Sequence, residues 1–262
     1  GNLIGTDASG TLPLGNASNG IAASQYWTNL VVGGSNPGQR NVIAASLGTR
    51  TFVFNNNASG NGVIFLAGQG ASLQGNFIGT DVTGTRPLGN ATEGVAVGFS
   101  SDVTIGGTAP GEGNLISSNG GYGGITLVIA SAVRVQGNTI GTDVTGTVAL
   151  GGQNAGSSAF LDQANILIGG TESGAGNLIS GNIYTGVDIR SSGVTVQGNL
   201  IGTDVTGTTV IGSSVGIYLG DTASNNLIGG TDSGAGNLVS TGRDWGYGIM
   251  FAGTGVTGNV VQ

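Results

Sequence analysis

Four aspartates stand in nearly the same surroundings. Asp7, Asp81, Asp143 and Asp204 each follow a threonine (Thr6, Thr80, Thr142, Thr203) in an Ile-Gly-Thr-Asp block, and a Gly-Thr pair closes each loop shortly afterwards. Carboxylates at a fixed place in turn-rich loops are hard oxygen donors, so the metal they would take is calcium. One carboxylate per loop supplies few of the roughly six to eight oxygens that calcium wants. The competing reading is that Asp and Thr cap the loop by side-chain to backbone hydrogen bonds. A second set is Asp188 with Arg190, two apart and therefore on one face of a strand, with Arg134 about two turns of the chain earlier. Glycoside hydrolysis needs a pair of carboxylates. A lone Asp–Arg pair is ordinarily a surface ion pair worth under about 1 kcal/mol, so no catalytic residue is assigned. A third set is aromatic: Tyr26 with Trp27 near one end, and Trp245 with Tyr247 near the other. Exposed rings of this kind stack on sugars, although single copies at two ends also serve to cover a core.

The elements that must position these residues are repeats. GNLIGTD at Gly1–Asp7 returns, lightly altered, at Gly75–Asp81, Gly137–Asp143 and Gly198–Asp204, and Gly258-Asn259 begins a further copy. A chain that repeats itself at a period of tens of residues is a stack of similar units. The units read as approximately 1–74, 75–136, 137–197 and 198–257 with a partial 258–262, all within a single domain. Each unit holds a long turn and a short one. The first short turn carries an insertion around Gly48–Gly62 that includes Asn55-Asn56-Asn57.

Within each turn lie three short apolar runs, such as Leu178-Ile179, Val187–Ile189 and Val194–Val196, bounded by Gly, Asn, Ser, Thr or Asp. Short β-branched runs between turn residues read as strands, and the 56 glycines leave no stretch able to sustain a helix. Three strands per turn with the same face inward predict an all-β, right-handed parallel β-helix of about eight or nine rungs in three parallel sheets, long and short rungs alternating. The second apolar position after each asparagine (Ile4, Ile78, Ile140, Ile201, Val261) is expected to form a buried column. Alternation puts Val187 and Ile189 inside, with Asp188 and Arg190 outside. The asparagines Asn2, Asn41, Asn76, Asn114, Asn138, Asn177, Asn199, Asn237 and Asn259 are expected at one corner, passing amide hydrogen bonds along the stack.

Composition narrows function further. Lysine, histidine and cysteine are absent, six arginines face thirteen carboxylates, and the net charge is −7. Nucleic acid and anionic membranes call for a basic surface and are excluded as partners. No thiol chemistry or disulfide is available, and no apolar run is long enough for membrane insertion. Sequons stand at Asn16, Asn57 and Asn90.

The blocks IGTDVTGT, IGGT and GNLIS resemble the right-handed parallel β-helix repeats of the pectate-lyase-like class, in the versions found in large secreted and surface proteins of bacteria. The resemblance covers essentially the whole chain. It implies a secreted, extracellular or cell-surface location. Lyases of that class combine acidic calcium ligands with an Arg or Lys base on one sheet face, which here falls to Asp188, Arg190 and Arg134. Threonine-rich faces also raise ice binding, but these threonines sit in loops and not in strand rows. The expected function is structural, a rod within an adhesin, stalk or filament, with no cofactor required. Polysaccharide binding or cleavage is the alternative. The matching phase of GNLI at Gly1 and GNVV at Gly258 predicts that the rod adjoins further repeats or stacks on itself end to end.

Overall fold

The computed structural model describes residues 1–48, 60–152, 155–160, 164–242 and 246–262, the stretch 155–160 through its backbone. Among the described residues twenty-four strands form three sheets of eight, and neighbours within every sheet pair in parallel. The first sheet is built of two-residue strands, from Leu3–Ile4 through Thr139–Ile140 to Leu238–Val239. The second runs from Ile21–Ser24 to Tyr247–Ala252, and the third from Val31–Gly33 to Val260–Val261. Each turn of chain thus lays one strand in each sheet before climbing to the next rung. The molecule is a parallel β-helix of eight rungs, about 38 Å long at ~4.8 Å per rung.

The core is a set of columns. Ile43, Ile78, Ile116, Ile140, Ile179 and Ile201 have no exposed surface and stack up the first sheet. Val187 and Ile189 in the second sheet are equally buried, as are Val135, Ile168 and Val196 in the third. Burying each such side chain stabilises the fold by about 1.5–3 kcal/mol. Flat, β-branched residues at identical register are what allow one rung to lie on the next.

Asparagine holds the corner that leads into the first sheet. The Nδ2 of each of Asn2, Asn41, Asn76, Asn114, Asn138, Asn177 and Asn199 donates to the Oδ1 of the next asparagine in the column, at 2.8 to 3.1 Å, ending on Asn237. The same Oδ1 atoms accept the backbone N–H of the asparagine one rung earlier. The amides also reach back to strand carbonyls, as Asn138 does to Ile105 and Gln136. Every polar group of a buried corner is thereby satisfied.

One expectation is overturned at the end of the chain. Asn259 does not extend this column. Val260–Val261 pairs with Leu227–Ile228 in the third sheet, and Asn259 accepts from the amide of Asn226 at 2.9 Å. Val261, expected in the buried column, is 49% exposed. The reason is that two corners use the same device. A left-handed residue followed by asparagine leads into the first sheet at Gly75-Asn76, Gly137-Asn138 and Gly198-Asn199 and into the third at Asn225-Asn226, and Gly258-Asn259 belongs to the second kind. Gly1 and Gly258 therefore stand at different phases of the rung.

Candidate functional site

The four Gly-Thr-Asp loops are alike in geometry. Each begins after a first-sheet strand and doubles back as a hairpin, with isolated antiparallel bridges between Thr6 and Pro13, Thr80 and Pro87, Thr142 and Ala149, and Thr203 and Val210. In the third loop, Asp143 Oδ1 accepts from the Thr145 hydroxyl at 2.8 Å and from the backbone N–H of Thr147 and Val148 at 3.3 and 3.2 Å. Asp7, Asp81 and Asp204 repeat the pattern with Ser9, Thr83 and Thr206. The hydroxyl that follows bonds to the first, as Thr147 does to Thr145 at 2.6 Å.

The loops also stack on one another. Val82, Val144 and Val205 donate their N–H to the carbonyls of Gly10, Gly84 and Gly146 in the loop two rungs below, at 2.9 to 3.0 Å. Glycine is required at that contact: Gly84 has φ 69°, and a Cβ there would stand 2.9 Å from both Val144 Cβ and Phe77 Cε2. The stack covers the outer face of the first sheet, where Val42, Phe77 and Leu115 form a small second core. The short rungs between loops are tied in by Ser117 and Ser180, whose hydroxyls donate to the carbonyls of Thr142 and Thr203.

Donors thus converge on the Oδ1 of each aspartate, while the Oδ2 of Asp81 is buried without a partner. For Asp7 the N–H of Leu12 and then the Ser9 hydroxyl hold the carboxyl below its ordinary 3.8. For Asp204 burial alone would raise it, but the Thr206 hydroxyl and the N–H groups of Thr209 and Thr208 outweigh that and bring it below 3.8. A calcium ion needs converging oxygens instead. Among the described residues no three Asp, Glu, His or Cys side chains gather in a way that could hold a metal. The geometry therefore favours capping at Asp7, Asp81, Asp143 and Asp204. Asp143→Ala should lower stability by about 1–3 kcal/mol through the unpaired N–H groups, while calcium or a chelator should leave the melting temperature unchanged. A chelator-induced drop would establish calcium at the loops. Because folding lowers the Asp7 and Asp204 values, their stabilisation is complete above pH 3.8 and is lost as pH falls through the lowered values.

Asp188 and Arg190 lie on Thr185–Arg190 of the second sheet, facing outward, as alternation requires. Arg190 Nε meets Asp188 Oδ1 at 3.0 Å and Nη2 meets Oδ2 at 3.2 Å. The structure adds two partners: Asp221, one rung on, takes Arg190 Nη1 at 3.1 Å, and the guanidinium lies 5.5 Å from the centre of the Tyr218 ring. Asp221 was not legible beside Arg190, because it sits past the strand at a corner with φ 53°. Arg134 belongs elsewhere. It lies on Arg134–Gln136 of the third sheet, paired with Thr104 and Leu167, so it does not join Asp188 and Arg190. The outward phase of Arg134 was readable, but the sheet it belonged to was not.

Burial pushes the Asp188 carboxyl up, with Arg190 pulling it partly back. The hydrogen bonds that Arg190 donates to Asp188 push the guanidinium further above its ordinary value, against the effect of burial. A guanidinium clasped by two carboxylates is held protonated. That is the opposite of what a proton-abstracting base requires.

The aromatic residues separate. Tyr26 is 93% exposed, whereas Trp27 is a wedge: its Nε1 donates to Leu66 O at 3.0 Å and its ring lies 5.4 Å from that of Phe65. Tyr247 opens Tyr247–Ala252 on the eighth rung and is half exposed, while Trp245 lies outside the described residues. Tyr247 stands on the last rung, at the opposite end of the rod from Tyr26 and Trp27. Among the sequons, Asn90 is buried and bonded to Asn119 at 2.8 Å, so the folded chain does not offer it for modification.

The corner after the second sheet holds a feature that no motif announced. Gln25, Ala67, Phe99 and Ile129 occupy it on four successive rungs, all left-handed at φ 50–63°. For an aromatic or β-branched residue this costs of the order of 1–3 kcal/mol. Ala67, Phe99 and Ile129 line an open groove of about 620 Å³ together with Tyr26, Trp27, Thr28, Gln69, Ser101 and Ser131. No protein-family model, no curated protein and no solved structure matches this chain.

Proposed function

We propose that the chain is a structural element: a stiff extracellular β-helical rod within a bacterial surface adhesin or stalk, adjoining further repeats or stacked end to end in a filament. The pectate-lyase-like resemblance of its repeats belongs to this proposal, as does the secreted location. The observation that carries it is the unbroken asparagine column, which passes amide bonds through all eight rungs. The recurring polar residues, asparagines at the corners and aspartates in the loops, are consumed in joining one rung to the next. Repetition here serves the stack, where each unit is stabilised by its neighbours. A repeat that served a ligand would instead leave its polar atoms facing outward. Small-angle scattering from the intact native protein or its end-to-end assembly is expected to follow the law for a rod of constant cross-section, with the length set by the total number of rungs at ~4.8 Å each. A particle no longer than these eight rungs would contradict the proposal.

A further inference from the structure

We infer that the open edge of the eighth rung takes a further β-helical rung with asparagine at two corners, before the first sheet and before the third. A second copy of this segment is not that rung. The inference rests on the rod reading and chooses between its two forms, adjoining repeats of other sequence and stacked copies. Two inward side chains mark the edge as an interface. Phe251 and Val261 are each 49% exposed, whereas Leu219 and Ile228, their equivalents one rung below, are 0% and 2% exposed.

The asparagine columns have a direction. At the first-sheet corner each asparagine sends its N–H and its Nδ2 up to the Oδ1 of the next, as Asn199 does to Asn237 at 3.0 and 2.9 Å. Asn237 lies on the eighth rung, and its Nδ2 donates to Val196 O at 2.8 Å. A primary amide carries two N–H donors. The second one and the backbone N–H are therefore presented to whatever lies above. A copy would answer them at this corner, because Asn2 of its first rung brings an Oδ1 to the same place.

The third-sheet corner decides against the copy. The residue after its left-handed position is Leu30, Ala71, Val103, Val133, Ile166 and Val194 on the first six rungs, then Asn226 and Asn259. A new column thus begins on the seventh rung. Val194 N–H donates to Asn226 Oδ1 at 2.8 Å, and Asn226 sends its N–H and Nδ2 to Asn259 Oδ1 at 3.1 and 2.9 Å. Asn259 Nδ2 returns one bond to Ala223 O at 2.9 Å, which leaves its second hydrogen for the rung above. Among the described residues of these two corners, no aliphatic residue lies above an asparagine. A copy stacked in register would set Leu30 on Asn259 and bury an amide donor with no acceptor. Asn16, below Ser46 at the corner before the second sheet, shows the result: its Nδ2 is buried without a partner.

Cryo-electron microscopy of the intact native protein tests this at side-chain resolution. The rung above the eighth should carry asparagine over both Asn237 and Asn259, each Oδ1 about 2.9 Å from the amide nitrogen below. Leu30 of a copy, or any residue other than asparagine over Asn259, would overturn the inference and leave the rod standing. Finding no rung there would overturn both the inference and the reading that the rod adjoins a neighbour. The chain has no cysteine, so an introduced disulfide gives an independent check. Val31 and Val260 are exposed and would be paired neighbours in a stack of copies, within disulfide reach. The Val31→Cys/Val260→Cys variant should form no more intermolecular disulfide under oxidising conditions than the two single variants together, with melting temperatures confirming that all three fold. Disulfide-linked multimers above that level would overturn the inference.

Discussion

Replacing Asn138 by alanine is expected to destabilise the protein by about 3–5 kcal/mol, more than an ordinary polar-to-alanine change. Asn138 accepts from both the N–H and the amide of Asn114, and donates to Asn177, Ile105 and Gln136. It is 1% exposed, so water cannot replace these partners. Truncation leaves several buried groups unpaired, each costing about 1–3 kcal/mol less whatever local relaxation recovers. Because a solenoid can open rung by rung, the loss should be read locally as well as globally. Hydrogen exchange at Asn114 and Thr139 should accelerate most, with less effect at the distant rungs. Asn2, at the exposed first rung, should cost much less when changed in the same way. A loss below about 1 kcal/mol for Asn138→Ala would mean that the column decorates the stack without holding it.

Arg190→Ala carries the second large effect, with a pH dependence of defined sign. Asp188 is 8% exposed, and its guanidinium partner offsets part of the rise that burial imposes on the carboxyl. Removing one member of a buried pair strands the other. The expected loss at neutral pH is about 1–3 kcal/mol, below that of a fully buried pair because the Arg190 side chain keeps 39% of its surface in water. Folding raises the Asp188 value above 3.8, so stability falls as pH climbs through that raised value. Without Arg190 the value rises further. The destabilisation of the variant should therefore be smallest below pH 3.8, where Asp188 is protonated folded or unfolded, and should grow to its full size as pH rises to neutral. Urea titrations of both proteins between pH 3.5 and 7.5 measure this directly. A difference independent of pH would show that Arg190 acts by packing on Tyr218 and not by charge.

Much of the architecture was legible because it repeats. The inward isoleucines, the outward phase of Asp188 and Arg190, and their equivalents Thr126 with Val128 and Ala96 with Gly98 all follow from alternation at a fixed register. What was not legible has a common physical origin, in that local patterns fix phase and not place. Gly258-Asn259 has the local pattern of a first-sheet corner and serves a third-sheet one. Arg134 has the outward phase of Arg190 on a different sheet. Asp221 and the column of Gln25, Ala67, Phe99 and Ile129 sit at corners where no motif recurs, since the residues there share a backbone conformation and not a side-chain type. A left-handed Phe or Ile leaves no trace in a sequence until the corner it occupies is known. The aspartate ladder was the reverse case. Its motif was obvious, and its donors show why it repeats: each carboxylate closes a hairpin that must lie on the hairpin two rungs below.

The rod itself is tested most directly by cryo-electron microscopy of the intact native protein. The account predicts straight, uniform rods with an axial spacing of about 4.8 Å, in which this segment supplies eight rungs over roughly 38 Å. Images in which the segment folds against a compact body, or in which the axial spacing breaks within it, would contradict the account.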